Sequence, residues 1–340
     1  MNTKSSFGSP FFRAGVQIPS MSKILITGPT GCIGAATVSQ LIELGADEIV
    51  GFSRSADRSR LEHDIELVRG DIADAASVRA AVQQVRPTHI IHLAAFQTPD
   101  CQSQPFRGLD INVAGTIHLF QAAAELDSLE RLINASSSAV YGPRAAHPAG
   151  EITVRHPVVP GSMYSYWKIC GEGIADAFHM ESGVPTVSLR LATTYGPGRD
   201  AGYTSAPTTA LKAAALGLPF ALPYRGREHY HYVHDVAAGF AQACLANETF
   251  SGSGTFNLRG QTADLAAFLE LANQHTDAPL TIPDDAVDTP FVYDLENTEV
   301  LATFPDMPLT PLADGIAASI AFFKEQAASG TLSADDLVKE

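Results

Sequence analysis

Long apolar runs are missing from this chain: nowhere do about 18 hydrophobic residues follow one another, which argues against a membrane-spanning helix. Basic residues are scarce, 22 Lys and Arg against 37 Asp and Glu, a balance of −15 at pH 7. Such a field repels phosphate backbones and removes the electrostatic basis for binding nucleic acid. Cysteines are few. Cys32, Cys101, Cys170 and Cys244 lie about 70 residues apart with no CxxC pair, which excludes a disulfide scaffold and suits free thiols in a reducing, cytoplasmic setting. The first twenty residues hold no apolar stretch of signal-peptide length, and Met21 stands directly before the first strand-like run. Residues 1–21 therefore read as a disordered extension, with a mitochondrial-type presequence as the alternative.

What is present is a hydrophobic share of 45% and a charged share of 17% in 340 residues, enough for one large or two ordinary domains at roughly 150 residues each. From Lys23 short β-branched runs alternate with helical stretches. Ile24-Leu25-Ile26, Glu48–Phe52, Ile65–Val68, His89–Leu93, Arg131–Ala135 and Thr186–Leu191 are separated by segments with helical spacing, the pattern of βαβ units. The predicted fold is α/β, a Rossmann-type doubly wound parallel sheet with a smaller mixed substrate-binding domain towards the C-terminus. The predicted dinucleotide-binding domain covers 22–191, with contributions from 230–260. The substrate-binding domain covers 192–229 and 261–325, where prolines break the rhythm, and 326–340 is expected to be a frayed tail.

The segment Thr27-Gly28-Pro29-Thr30-Gly31-Cys32-Ile33-Gly34 spaces glycines by three between a strand and a helix. Glycines there allow a tight turn and let backbone amides and the helix N-terminus approach a pyrophosphate. Gly28, Thr30, Gly31, Cys32, Ile33 and Gly34 are accordingly predicted to bind a dinucleotide. At the end of the second strand no carboxylate stands to accept from a ribose hydroxyl; Phe52-Ser53-Arg54 stands instead, and a guanidinium pairs well with a 2′-phosphate. Ser53 and Arg54 thus favour NADP, with NAD as the alternative, although Arg54, Arg58 and Arg60 equally suit a solvated loop. Asp71, followed by Ile72, is placed to accept from an adenine amino group or to cap a helix.

Tyr164 and Lys168 fall four apart on a helix, hence on one face. An ammonium beside a phenol stabilises its anion and brings it towards use in proton transfer. Ser137 and Ser138, just after the fifth strand, supply hydroxyls at the sheet edge where open α/β folds bind ligands.

Together the glycine loop, Gly70-Asp71, His92-Leu93-Ala94-Ala95, Asn112 with Gly115-Thr116, Ser136–Gly142, the Tyr164/Lys168 pair, Arg190, Tyr195–Gly198 and Tyr232-Val233-x-Asp235 are similar to the extended short-chain dehydrogenase/reductases, the family containing the NAD-dependent epimerases and dehydratases. The likeness runs from Lys23 to about Phe323. It implies hydride transfer between nicotinamide and a secondary alcohol or ketone, with Tyr164 as general acid/base, Lys168 holding the nicotinamide ribose, and Ser137 on the reacting oxygen, Ser138 being the fallback. Leu93, Ala94 and Ala95 would line the cofactor. The resemblance further implies a homodimer through the helix bearing Tyr164 and residues 101–126.

The chain departs from that pattern. Ser138 and Ala139 stand where sugar dehydratases carry Asp-Glu, which argues against water elimination. Nucleotide-sugar enzymes often carry Asn and Arg where Thr193 and Glu228 stand here, and a carboxylate beside a diphosphate costs binding energy. A small sugar-like or hydroxy-acid substrate is predicted, held by Phe96, Thr98, Ser138, Thr193 and Arg225, with Gln97, Tyr203 and Arg227 as further candidates. The leading expectation is a dehydrogenase, the alternatives an epimerase with tightly bound cofactor and a non-catalytic dinucleotide sensor. His229, His231 and His234 invite a metal, but the strand here leads into a helix before His234, the family that the chain resembles shows no metal at this place, and none is predicted.

Overall fold

The computed structural model describes residues 22–246 and 250–338, so the predicted extension at 1–21 lies outside the described residues. Strands β1 (Lys23–Thr27), β2 (Glu48–Ser53), β3 (Glu66–Arg69), β4 (His89–His92), β5 (Arg131–Ser137) and β6 (Thr186–Leu191) form one sheet with a seventh strand, Ser253–Asn257. The order is Ser253–Asn257, β6, β5, β4, β1, β2, β3, and every pairing is parallel.

Both faces are covered, which is why the strands read as continuous apolar runs instead of alternating with polar residues. Ile24, Ile26, Ile91 and Ile133 point to one core with Val38, Leu41, Val236 and Phe240 from the helices Cys32–Glu43 and Val233–Leu245. Leu25, Ile90 and Leu132 point to the other, against Val82, Phe120 and Phe178 from the helices Ala75–Val85, Gly115–Ala123 and Met163–Ser182. The chain reverses direction across the sheet between β1 and β4, so the carboxyl ends of these two strands frame a crevice of the kind in which such folds bind ligands.

A smaller mixed sheet lies towards the C-terminus. Arg227–Tyr232 runs antiparallel to Gln261–Asp264 and parallel to Thr193–Tyr195. Its core gathers Tyr195, Leu211, Tyr230, Phe268, Ile316 and Phe323. This core also reaches the segment expected to fray. The last long helix runs Leu312–Ala328, Leu332 is buried, and Ser333 and Asp336 close a capping box on the turn Ala334–Leu337. The physical reason is plain: Leu332 covers apolar surface that would otherwise meet water. Among the described residues no helix is long and apolar enough to cross a membrane.

One carboxylate ties the two regions together. Asp200 takes Arg60 from the loop after β2 and Lys212 from the helix Ala206–Leu216, each at 2.6 Å.

Candidate active site

Two adjoining clefts open along the carboxyl edge of the sheet, sharing Ala95. The first, about 280 Å³, lies between the glycine loop and the ends of β2 and β3; Gly28, Thr30, Ser53, Arg54, Asp71 and Ile72 line it, with Ala94 and Phe96. The second, about 210 Å³, lies over the ends of β5 and β6, where Ser137, Ser138, Tyr164, Lys168 and Thr193 meet Ile33, Leu93 and Thr98.

The first cleft fits a dinucleotide. Gly28 has φ +72°, and a Cβ there would stand 3.1 Å from the Ala94 nitrogen. The helix Cys32–Glu43 starts at Gly31 with no side-chain cap on its first N–H groups, a terminus open to an anion. Gly34 serves packing, since a Cβ would lie 2.1 Å from the Gly28 carbonyl oxygen. Cys32 turns its thiol to the Pro197 carbonyl at 3.6 Å, and burial pushes that thiol up to about 11. Arg54 is exposed at the rim, and Ser53 Oγ lies 3.4 Å from Thr30 Oγ1. Burial pushes Asp71 up, but the Ala73 N–H and the Arg107 guanidinium that pairs with it outweigh burial and hold the carboxyl below its usual range.

The floor between the clefts is a hydrogen-bonded chain that local sequence patterns do not reveal. Thr27 Oγ1 accepts from the N–H groups of Leu93 and Ala94, both at 3.1 Å, so its proton goes to His92 Nδ1 at 2.8 Å. His92 Nε2 then donates to Thr116 Oγ1 at 3.0 Å, which passes its own proton to the Asn112 carbonyl at 2.9 Å. Burial, with Lys168 nearby, pushes His92 down to about 3, so it is neutral and the chain is fixed in one direction. Asn112, in the one-turn π-helix Asp110–Ala114, pins the loop after β4 through both its amide atoms to Phe96.

In the second cleft Ser162 caps the helix Met163–Ser182 by accepting from the Ser165 N–H at 3.2 Å, which sets Tyr164 at the first turn. Ser137 and Tyr164 line the same cleft, and the Ser137 hydroxyl favours the anion of the phenol. Ser137 is fixed from the other side by the Ala139 N–H at 3.2 Å. Ser138 lies in the wall beside them, buried. Lys168 Nζ donates to the Ala135 carbonyl at 2.6 Å and stands 5.7 Å from the centre of the Tyr164 ring. The sequence predicts a phenol made acidic by this lysine; the geometry corrects that. Burial pushes Tyr164 up, outweighing the Ser137 hydroxyl and the Arg199 charge that favour the anion, while burial lowers Lys168 to about 8. A buried phenol above its ordinary range and a lysine below it are placed to donate and accept protons once a ligand changes the local dielectric and charge.

Behind them a buried network locks the helix to the sheet. Ser136 Oγ donates to Glu172 Oε1 at 2.5 Å, Arg190 grips Glu172, and Arg190 Nη1 donates at 2.8 Å to Tyr141 Oη, which donates to Asn257 at 2.7 Å.

The substrate side is sorted as follows. Thr98 and Thr193 line the second cleft, as do Gln97 and Tyr203; Phe96 lines the first instead. Arg225 reaches neither: it is half exposed, paired with Asp288 at 3.3 Å. Arg227 pairs with Asp294 and lies over the Tyr293 ring. Neither arginine therefore replaces the positive charge that the sequence lacks at 228. Glu228 is itself buried beside Thr193 and Tyr224, whose hydroxyls favour its charge without closing a hydrogen bond on either oxygen; burial pushes it up to about 8. Arg199, which the sequence did not single out, lines the cleft. His229 and His231 sit together facing Gly260, and among the described residues no group of three His, Cys, Asp or Glu is arranged for a metal.

A dinucleotide crevice at a sheet reversal, next to a Ser/Tyr/Lys cluster, defines a nicotinamide-dependent enzyme of the short-chain type. The chain belongs to the NAD dependent epimerase/dehydratase family, whose model matches residues 24–258. It is 32% identical over 247 residues to a UDP-glucuronate 4-epimerase of Arabidopsis thaliana, a match covering 68% of this chain and 56% of that relative's length. Against the UDP-glucose 4-epimerase of Mycolicibacterium smegmatis it is 27% identical over 320 residues, covering 89% and 99%. The crystal structure of the Thermus thermophilus UDP-glucose 4-epimerase complex with NAD superposes with a TM-score of 0.76 at 24% identity, covering 89% of this chain and 99% of that one, and speaks to the fold.

Proposed function

We propose that this enzyme is a sugar epimerase that oxidises a carbinol and returns the hydride to the opposite face without releasing its dinucleotide. The observation that carries the reading is the meeting of Ser137, Tyr164 and Lys168 in one cleft at the carboxyl edge of β5, beside the dinucleotide crevice. The relatives that it resembles are UDP-sugar 4-epimerases, which supports epimerisation over the net dehydrogenation that the residues alone favoured.

The bound dinucleotide would supply the hydride acceptor and donor. Gly28, the open end of the helix at Gly31, and Asp71 would hold its adenosine half; Ile33, Leu93, Ala95 and Lys168 would border its nicotinamide half. Ser137 and Tyr164 would both bond the substrate hydroxyl, and Tyr164 Oη would take and return its proton, with Arg199 favouring the anionic phenol. Arg54, with no carboxylate at the end of β2, supports NADP as the dinucleotide. Ser138 and Ala139 supply no acid and base pair for water elimination, which keeps dehydration out of the proposal. Two copies of the chain would pair through the exposed apolar side chains of Phe106, Leu109, Met163 and Tyr166.

A second reading, net oxidation of a small hydroxyl substrate, is favoured by Thr193 and Glu228, which offer a diphosphate no positive charge. Purification with assay for retained dinucleotide separates the two. Stoichiometric cofactor with interconversion of sugar epimers and no net reduction of added NAD or NADP is expected. Steady accumulation of reduced cofactor supports the second reading, and undiminished activity in Tyr164→Phe would overturn both.

A further inference from the structure

The second cleft inverts the charge of the protein that contains it. In a chain of net charge −15 its wall includes no carboxylate, and its only cations are Lys168 and Arg199. Lys168 bonds the Ala135 carbonyl and, in the proposed reaction, borders the nicotinamide half of the dinucleotide, which leaves Arg199 for the substrate. Arg199, like the exposed Arg54 of the first cleft, stands outside the ion pairs found among the described residues. Arg60, Arg190, Arg225 and Arg227 each face a carboxylate, whereas Arg199 has no ion pair among the described residues. Its Nη1 donates to the neutral Gln97 Oε1 at 3.0 Å, its Nη2 reaches Thr204 Oγ1 at 3.3 Å, and its Nε is buried with no partner. A guanidinium fork held only by neutral groups retains its full attraction for an anion.

The acids around it do not cancel it: Asp200, next in the chain, is paired with Arg60 and Lys212. Glu228 lies within electrostatic reach of Arg199, but burial pushes its carboxyl up to about 8, so it stays mostly neutral at pH 7. Arg199 also acts on Tyr164. A ligand anion on Arg199 therefore sits close to the proton-transferring phenol, on the same small molecule. The cleft itself, about 210 Å³, falls below the ~300–1,000 Å³ of sites for drug-sized ligands, and Tyr203 stacked edge-on against Phe291 at 5.5 Å narrows it.

We propose that Arg199 anchors the carboxylate of a compact sugar acid, and that the substrate of this site is a monoanionic hydroxy acid of monosaccharide size, without a nucleoside diphosphate. The inference rests on the reading of Ser137, Tyr164 and Lys168 as the centre that oxidises a carbinol. A single guanidinium matches one carboxylate in a bidentate manner; a diphosphate would need a second cation that Arg225 and Arg227, engaged elsewhere, do not bring.

The test uses the enzyme loaded with whichever dinucleotide it retains. Initial rates with glucuronate, galacturonate and galactonate are compared with those for glucose, galactose and UDP-glucose. The acids are expected to exceed the neutral sugars and UDP-glucose in kcat/KM by about 100-fold, the scale of a charge-assisted bidentate contact, and Arg199→Gln is expected to bring that ratio close to one, with Arg199→Lys between. Equal use of neutral sugars or UDP-glucose by the unaltered enzyme, or a preference retained by Arg199→Gln, would overturn the proposal. Calorimetric titration of glucuronate and galacturonate into Tyr164→Phe and into Tyr164→Phe with Arg199→Gln reads the anchor without chemistry. Binding to the first and not the second is expected; no binding to the first would overturn the anchor. Full activity in Tyr164→Phe sinks the catalytic reading alone.

Discussion

Arg190 grips Glu172 through two hydrogen bonds of 2.8 Å, Nε to Oε1 and Nη2 to Oε2, and both side chains are almost wholly buried. The pair joins β6 to the helix that carries Tyr164 and Lys168. Removing one partner strands the other's charge. Arg190→Met is expected to cost about 3–5 kcal/mol in urea unfolding, and the double substitution with Glu172→Met to recover much of it. A cost under about 1 kcal/mol for the single substitution would show that the pair does not hold the helix.

Glu228 makes stability depend on pH at the alkaline side. Its carboxyl moves from 4.5 to about 8 on folding, so the folded form keeps a proton that the unfolded chain gives up. The contribution is fully present below 4.5 and is lost as pH rises through 8, at ~1.4 kcal/mol per unit, which comes to about 3 kcal/mol at pH 7. Glu228→Gln removes the titration. Unfolding of this variant at pH 7 should take about 3 kcal/mol more than that of the unaltered protein, with little difference at pH 4; equal values at both would refute the buried neutral acid.

The buried imidazoles act at the acid side. His231 is lowered from 6.5 to about 4 and His92 to about 3, both chiefly by burial. For such depressed bases the contribution is present above 6.5 and is lost as pH falls through 4. For His231 the loss is about 3 kcal/mol by pH 4. A urea midpoint that stays level from pH 6.5 to 4 would contradict neutral histidines in the core.

The choice between the two dinucleotides is tested at Arg54. If its guanidinium meets a 2′-phosphate, Arg54→Ala should weaken NADP about 10- to 100-fold and leave NAD unchanged in fluorescence titration. Equal effects on both would assign NAD and return Arg54 to a solvated loop.

The parts of this site that were legible beforehand are those written in one stretch of chain. Gly28 to Gly34 lie in a single turn, and Tyr164 and Lys168 are a helical repeat apart, so local spacing places them. Thr27, His92 and Asn112 act together only because β1 pairs with β4 and a π-helical turn follows, and nothing local marks that. Arg199 and Glu228 are further examples: the absence of a partner, or burial, is a property of the surroundings. Arg225 failed as a candidate because Asp288, more than sixty positions on, claims it. The seventh strand, Ser253–Asn257, stands outside the six predicted runs because it joins the edge of the sheet after the βαβ rhythm has ended.

Asp200 has a mechanical consequence. Arg60 belongs to the adenosine end of the crevice and Lys212 to the opposite lobe, and a single carboxylate serves both. Asp200 and Lys212 both belong to the C-terminal lobe, so the Arg60–Asp200 contact is the one that must break for the lobes to spread, and Lys212 holds the carboxylate in place for it. Added electrolyte weakens such a clasp. The opening between the lobes is expected to widen with ionic strength, while the cleft that holds Ser137 and Tyr164 stays as it is.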